Sequence, residues 1–191
     1  MKNVLFFIDT LGYGGAEKVL VNLVNGLDKS KYNITVLTIF DAGVNKKYLD
    51  ENIKYKYIFK NVFRGNVTYF KLFSPEYLYK KYIRDKFDIV ISYLEGNTTR
   101  ILSGCPYVDT KKIAWIHVEM SKTDRIYPYR SLKECYNCYK KYDKIIGVSK
   151  SVIDSLRRND TTLKSLLLFI SLLSQFPFTS TPSKTFSSSL G

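Results

Sequence analysis

Val4-Leu5-Phe6-Phe7-Ile8-Asp9-Thr10-Leu11-Gly12-Tyr13-Gly14-Gly15-Ala16-Glu17 opens the chain, and its reading decides the fold class. Val4–Ile8 is an unbroken apolar run, which suits a strand buried on both faces, since a half-buried strand would alternate. The run is too short for the apolar segment of a secretory signal, and Asp9 interrupts it. Gly12, Gly14 and Gly15 then make a turn. From Ala16 to Leu27 apolar residues return at Val19, Leu20, Leu23, Val24 and Leu27, the stripe of an amphipathic helix. Strand, glycine turn and helix begin a β-α-β unit, and such units build parallel sheets.

The same alternation continues outward. Ile34–Phe40 reads as a second strand ended by Asp41-Ala42-Gly43, and Lys54–Phe59 as a third after a short helix. Ser74-Pro75-Glu76 is a helix start, with Ser as cap, Pro in the first turn and an acid beside it, and the helix is expected to reach about Lys86. Strands are expected at Asp88–Tyr93, Lys112–Ile116 and Lys144–Val148. Helices are expected at Asn97–Ser103, Ser131–Tyr139 and from the cap Ser149 to about Arg158. The fold class is therefore α/β, a Rossmann-like parallel sheet flanked by helices, over residues 1–158. Residues 159–191 change character: Ser, Thr, Leu and Phe dominate without a period, and an unstructured tail is expected. Its apolar core, Leu166–Leu173, is shorter than the ~20 residues of a spanning helix.

Lys and Arg number 30 against 17 acidic residues, a net charge of +13. Such a surplus favours polyanionic partners: nucleic acid, an anionic membrane surface or phosphorylated ligands. It is uneven, with 11 basic and 4 acidic residues between Val44 and Lys86, hence 11 − 4 = +7 there. In that stretch Tyr55, Tyr57, Phe59, Phe63, Tyr69, Phe70, Phe73, Tyr77, Tyr79 and Tyr82 interleave with the cations. This pattern could track a nucleic acid strand or seat on lipid headgroups, or the rings could fill a core while the lysines solvate its surface. Only charge supports nucleic acid, which is not expected as a partner. Three cysteines without a secretory signal imply a reduced, cytoplasmic setting. Cys135-Tyr136-Asn137-Cys138 falls late in a helix and has too few companions for tetrahedral zinc, so no metal is expected.

Open α/β sheets bind ligands beyond the carboxyl ends of their strands. Three candidates fall there. Gly14 and Gly15 would let backbone N–H groups approach a phosphate at a helix start, though the same glycines also relieve a tight turn. His117, the chain's single histidine, follows the strand Lys112–Ile116 and could bond a substrate hydroxyl or carry a proton. Glu95 follows Ser92-Tyr93-Leu94 and could hold an acceptor hydroxyl; it could equally pair with a cation or help cap the next helix.

Taken in order, Leu11-Gly12-Tyr13-Gly14-Gly15-Ala16-Glu17-Lys18-Val19-Leu20, Asp88–Tyr93, Ile113-Ala114-Trp115-Ile116-His117 and Asp143–Ser151 resemble the N-terminal domain of family 4 glycosyltransferases of the GT-B fold. The resemblance covers about Met1 to Leu156. It implies a retaining transfer of sugar from a nucleotide-sugar to a glycan or lipid-linked acceptor, with the nucleotide-sugar a co-substrate and no separate cofactor. Gly14 and Gly15 would lie near the donor diphosphate, and His117 would contact the transferred sugar; Glu95 matches no family invariant. The cytoplasm is the implied setting, with the inner face of an anionic membrane a further candidate. The donor-gripping Glu-x7-Glu of the family's second domain does not follow Arg158, so the chain is expected to be truncated and inactive alone. A non-catalytic Rossmann-like module binding a phosphorylated ligand or partner stays open as the alternative.

Overall fold

The computed structural model describes residues 1–119, 127–159 and 167–169. Strands β1 (Lys2–Ile8), β2 (Tyr32–Phe40), β3 (Lys54–Phe59), β4 (Ile89–Tyr93), β5 (Lys111–Ile116), β6 (Lys144–Gly147) and β7 (Leu167–Phe169) alternate with helices. These are α1 (Gly15–Gly26), α2 (Asn66–Leu72), α3 (Pro75–Tyr82), α4 (Asn97–Leu102), α5 (Leu132–Tyr139) and α6 (Lys150–Asn159). The strands form one sheet in the order β3-β2-β1-β4-β5-β6-β7, and every neighbouring pair is parallel.

Strand β1 lies between β2 and β4, pairing Phe6 with Val36 on one side and Ile91 on the other. Its side chains alternate between two cores. Val4, Phe6 and Ile8 meet Leu20, Val21 and Val24 of α1, while Leu5 and Phe7 belong with residues of α3, α4, α5 and α6. Helix α1 thus covers one face and the later helices the other. The α1 stripe is rotated slightly from the sequence expectation: Val21 is buried, and Val19 is an exposed residue.

Local chemistry explains most boundaries. Ser74 caps α3 by accepting the Tyr77 N–H at 3.2 Å, Ser131 caps α5 through the Glu134 N–H, and Ser149 accepts the Val152 N–H. Helix α3 stops at Tyr82 rather than near Lys86, because Ile83 leaves helical geometry and the chain turns to bury Ile83 and Phe87. Two elements were not anticipated. Helix α2 sits where the sequence showed only aromatics and cations, and β7 lies within the segment expected to be unstructured. The rest of that expected tail lies outside the described residues.

Helix α2 is explained by Arg100. Its side chain is fully buried on α4 and donates to the Phe70 and Phe73 carbonyls at 2.7 and 2.8 Å, meeting acceptors that the end of α2 leaves open. It also pairs with Glu134 at 2.8 Å. Burial pushes the Glu134 carboxyl up, but the Arg100 and Arg130 hydrogen bonds outweigh this and hold it below its usual range. Removing one partner of such a pair strands the other. Arg100→Leu is expected to lower the unfolding free energy by about 3–5 kcal/mol. Lys111→Leu, which loses a largely exposed pair with Asp143, should cost about 1 kcal/mol or less. Urea denaturation at neutral pH measures both.

Candidate functional site

Because all the strands run the same way, the carboxyl ends of β1, β4 and β5 lie on one edge of the sheet, at the point where the strand order reverses between β1 and β4. The β1–α1 turn is pinned from the side of β2. The Leu11 N–H donates to the Ala42 carbonyl and the Leu11 carbonyl accepts from the Asn45 N–H, each at 3.0 Å; the Asn45 side-chain amide donates to the Gly12 carbonyl. Gly43, at φ +118, packs so tightly that a methyl group there would stand 1.9 Å from the Leu11 carbonyl oxygen. This backbone contact admits only glycine.

The glycines of the turn differ in what they do. A methyl group on Gly14 would meet the Glu17 carboxylate at 2.1 Å, so the absence of a side chain lets Glu17 fold back over the turn. A methyl on Gly15 would meet nothing within 4 Å. No steric demand explains glycine there, and the open space above it suits close approach of a ligand.

Just after β4 the backbone is strained. Leu94, at φ 98, is the one non-glycine residue with positive φ among those described. Its carbonyl accepts hydroxyl hydrogen bonds from Ser92, Thr98 and Thr99 at 2.9, 3.1 and 3.3 Å, which hold the strained turn in place. The turn presents Glu95, whose Oε2 accepts the His117 backbone N–H at 2.9 Å. The His117 ring lies 5.0 Å from that of Tyr93 and 6.4 Å from that of Trp115. Tyr93 and Trp115 belong to the α1-side core, so the structure brings Glu95 and His117 together, on the side of the sheet that also carries the glycine turn. Burial is the main cause that moves His117 down to about 4, making it neutral at pH 7.

Asp9 was missed by the sequence reading, which used it only to end a strand. It stands at the tip of β1, and burial, helped by the charge of Glu95, pushes its carboxyl up to about 6. An acid immediately after the first buried strand was the available signal. Elsewhere, Cys135 and Cys138 are buried thiols. Among the described residues no group of three or more His, Cys, Asp or Glu is placed to hold a metal ion, and no helix is long and apolar enough to cross a membrane. The basic stretch resolves mainly into core. Phe59, Phe63, Tyr69, Phe70 and Tyr82 contact one another edge to face, and Lys81 Nζ stands 5.3–5.7 Å from the centroids of Tyr69, Phe73, Tyr77 and Tyr82.

The family profile described as Glycosyltransferase Family 4 matches residues 13–162, more than half of the chain. Among solved structures, the crystal structure of Anabaena Alr3699/HepE in complex with UDP and glucose is similar in fold, with a TM-score of 0.52 at 12% identity. The match covers 89% of this chain and 44% of that one, so the chain spans less than half the length of that structure. A search of curated proteins finds no match.

The two shifted groups pull stability in opposite directions. His117 titrates near 4 when folded and near 6.5 otherwise, so the fold loses stability as pH falls from 6.5 towards 4. Asp9 titrates near 6 when folded and near 3.8 otherwise, so the fold gains stability over much the same fall. Asp9→Asn is therefore expected to destabilise relative to the parent on going from pH 6.5 to 4. His117→Phe, which keeps a ring against Tyr93, should become relatively more stable. Carboxyls held low by partners, such as Glu134 and Asp143, affect all three proteins alike. Chemical denaturation at half-unit pH steps measures the difference; parallel curves would show that Asp9 and His117 do not titrate as described.

Proposed function

The chain belongs to glycosyltransferase family 4, and from that premise we propose that it is the acceptor-side domain of a retaining enzyme that moves a sugar from a nucleotide-sugar to a glycan or lipid-linked acceptor. One observation carries the reading: a neutral His117, held at a strand tip by Glu95, shares a side of the sheet with the glycine turn. Departure of a nucleoside diphosphate leaves positive charge on the sugar and negative charge on phosphate. Groups fixed where those charges develop lower the barrier. The free N–H groups and dipole at the start of α1, with nothing projecting from Gly15, suit the phosphate. A neutral imidazole offers one donor and one acceptor to a sugar without adding a charge.

The domain is taken as residues 1–158, and the donor would be gripped mainly by a second domain. The HepE structure, bound to UDP and glucose, supports a nucleotide-sugar as donor. The β3–α2 loop and helix α2 supply a seat on an anionic membrane at the cytoplasmic face. There the exposed Val62 and Leu72 accompany Arg64 and Lys71, which line a hollow of about 540 Å³ with Tyr127.

The test joins residues 1–159 to the donor-binding half of a family 4 enzyme and follows nucleotide release from a panel of nucleotide-sugars. Transfer is expected to fall about a hundredfold with His117→Ala. Gly15→Ala should lower transfer at least as steeply while leaving stability unchanged or higher, since alanine is the better helix former. Transfer indifferent to both changes, or absent with every donor, would overturn the reading. For the membrane seat, co-sedimentation of the full chain with phosphatidylglycerol vesicles should weaken about fivefold for each of Arg64→Gln and Lys71→Gln, and with added salt. Equal binding to neutral vesicles would remove it.

A further inference from the structure

The edge between β1 and β4 holds more than the family resemblance uses. Glu95 is aimed by a turn that the fold keeps strained: Leu94 at φ 98 and Gly96 at φ +126, with three hydroxyls on one carbonyl. Its Oε2 is engaged by the His117 N–H. Asp9 stands at the tip of the adjacent strand, and Glu17 lies folded over Gly14 at the other side of the opening. Carboxylates therefore border this mouth on the β1, α1 and β4 sides.

An independent observation lies beneath them. Tyr93 is fully buried and Trp115 is 7% exposed, yet the Tyr93 hydroxyl, the Trp115 indole N–H and His117 Nδ1 have no hydrogen-bond partner among the described residues. The rings touch, with Tyr93 and Trp115 centroids 5.0 Å apart. Neighbouring buried hydroxyls are well matched: Ser92, Thr98 and Thr99 each reach the Leu94 carbonyl. Unmet buried polar atoms are rare, because each forfeits its hydrogen bonds to water without replacement. Three on touching side chains at a strand-end crevice point to groups brought by a ligand.

We propose that this crevice seats the acceptor and selects an uncharged, hydroxyl-rich ring, held by Asp9 and Glu95 at its rim and by the Tyr93 hydroxyl and Trp115 indole N–H beneath. The proposal rests on the glycosyltransferase reading for the word acceptor; the sugar seat itself rests on the side chains. A sugar hydroxyl both donates and accepts. It can give its proton to a carboxylate and receive a hydrogen bond from Trp115 or Tyr93. A phosphate or carboxylate group only accepts, and it would be repelled by Asp9 and Glu95 at the two strand ends. An ammonium group only donates, leaving the indole N–H unmet.

The experiment is an amide NMR titration of the full chain, with no donor, using methyl glycosides of glucose, galactose and mannose. Methyl glucuronoside, methyl glucosaminide and glucose 6-phosphate serve as charged counterparts. At least one neutral glycoside is expected to perturb the Glu95 and His117 amides saturably and to bind about tenfold tighter than the charged compounds. Glu95→Gln should reduce the preference over the anionic compounds to about threefold or less. Tyr93→Phe removes a buried unmet hydroxyl and should leave melting unchanged or raised while weakening the neutral glycoside about tenfold. Tighter or equal binding of any charged compound overturns the proposal, as does the absence of saturable binding by every neutral glycoside at high millimolar concentration. Binding unaltered in both variants does the same. Because no donor is present, failure here leaves the transfer assay standing. Success here beside failed transfer would leave a sugar-binding module and sink the enzyme.

Discussion

Everything at the candidate site depends on the double pairing of β1. Hydrogen-bonded to β2 on one edge and β4 on the other, and buried on both faces, this strand cannot shift by one residue without exchanging its two cores. Its neighbours then leave it in opposite directions, β2 towards β3 and β4 towards β5. Helix α1, which follows β1, covers one face, and α4, which follows β4, covers the other. The crevice at the carboxyl end of β1 is what remains where they part. It exists because of backbone pairing, and side chains only decide what it holds.

The crevice is also stiff, for different reasons on its two sides. On the β1 side the turn is fastened by backbone contacts that tolerate no side chain at Gly43. On the β4 side the unfavourable conformation of Leu94 is held by three hydroxyls from one strand and one helix. Both devices fix backbone, and through it the positions of Gly15 and Glu95, so less order remains to be imposed when a ligand arrives. Arg100 extends the same rigidity outward by tying α2 and α5 to α4.

How much of this was legible depended on whether the determinant was local. The strands β1, β2, β4, β5 and β6 were readable because buried parallel strands are continuous apolar runs. The starts of α3, α5 and α6 were readable because Ser74, Ser131 and Ser149 cap them. Helix α2 was not, since Asn66–Leu72 carries no period of its own and is held by a guanidinium from α4, thirty residues away from Phe70. A sequence counts Arg100 as one more surface cation, whereas the fold buries it. At the site, His117 and Glu95 could each be placed at a strand end, but their hydrogen bond spans β4 and β5 and needed the register. Asp9 was passed over because its significance arises from burial by the fold and from Glu95, a residue distant in the chain and adjacent in the sheet.

The charge distribution then acquires a meaning that the net value hides. The protein carries +13, and, the buried Arg100 apart, cations such as Lys46, Lys47, Lys60 and Arg64 are exposed. At distances beyond about 8–10 Å salt screens such charges, so the surplus acts on anions near the surface rather than inside the crevice. At the rim between β1 and β4 the described carboxylates are Asp9 and Glu95, beside a neutral His117. The two regions therefore sort partners by charge. Phosphates and anionic lipid are drawn to the outer surface and to the amide-rich start of α1, while the rim between β1 and β4 turns anions away. An enzyme that must accept a diphosphate and a hydroxyl in neighbouring places, without exchanging them, needs such a separation. Here it is supplied by carboxylates at two adjacent strand ends of an otherwise basic chain.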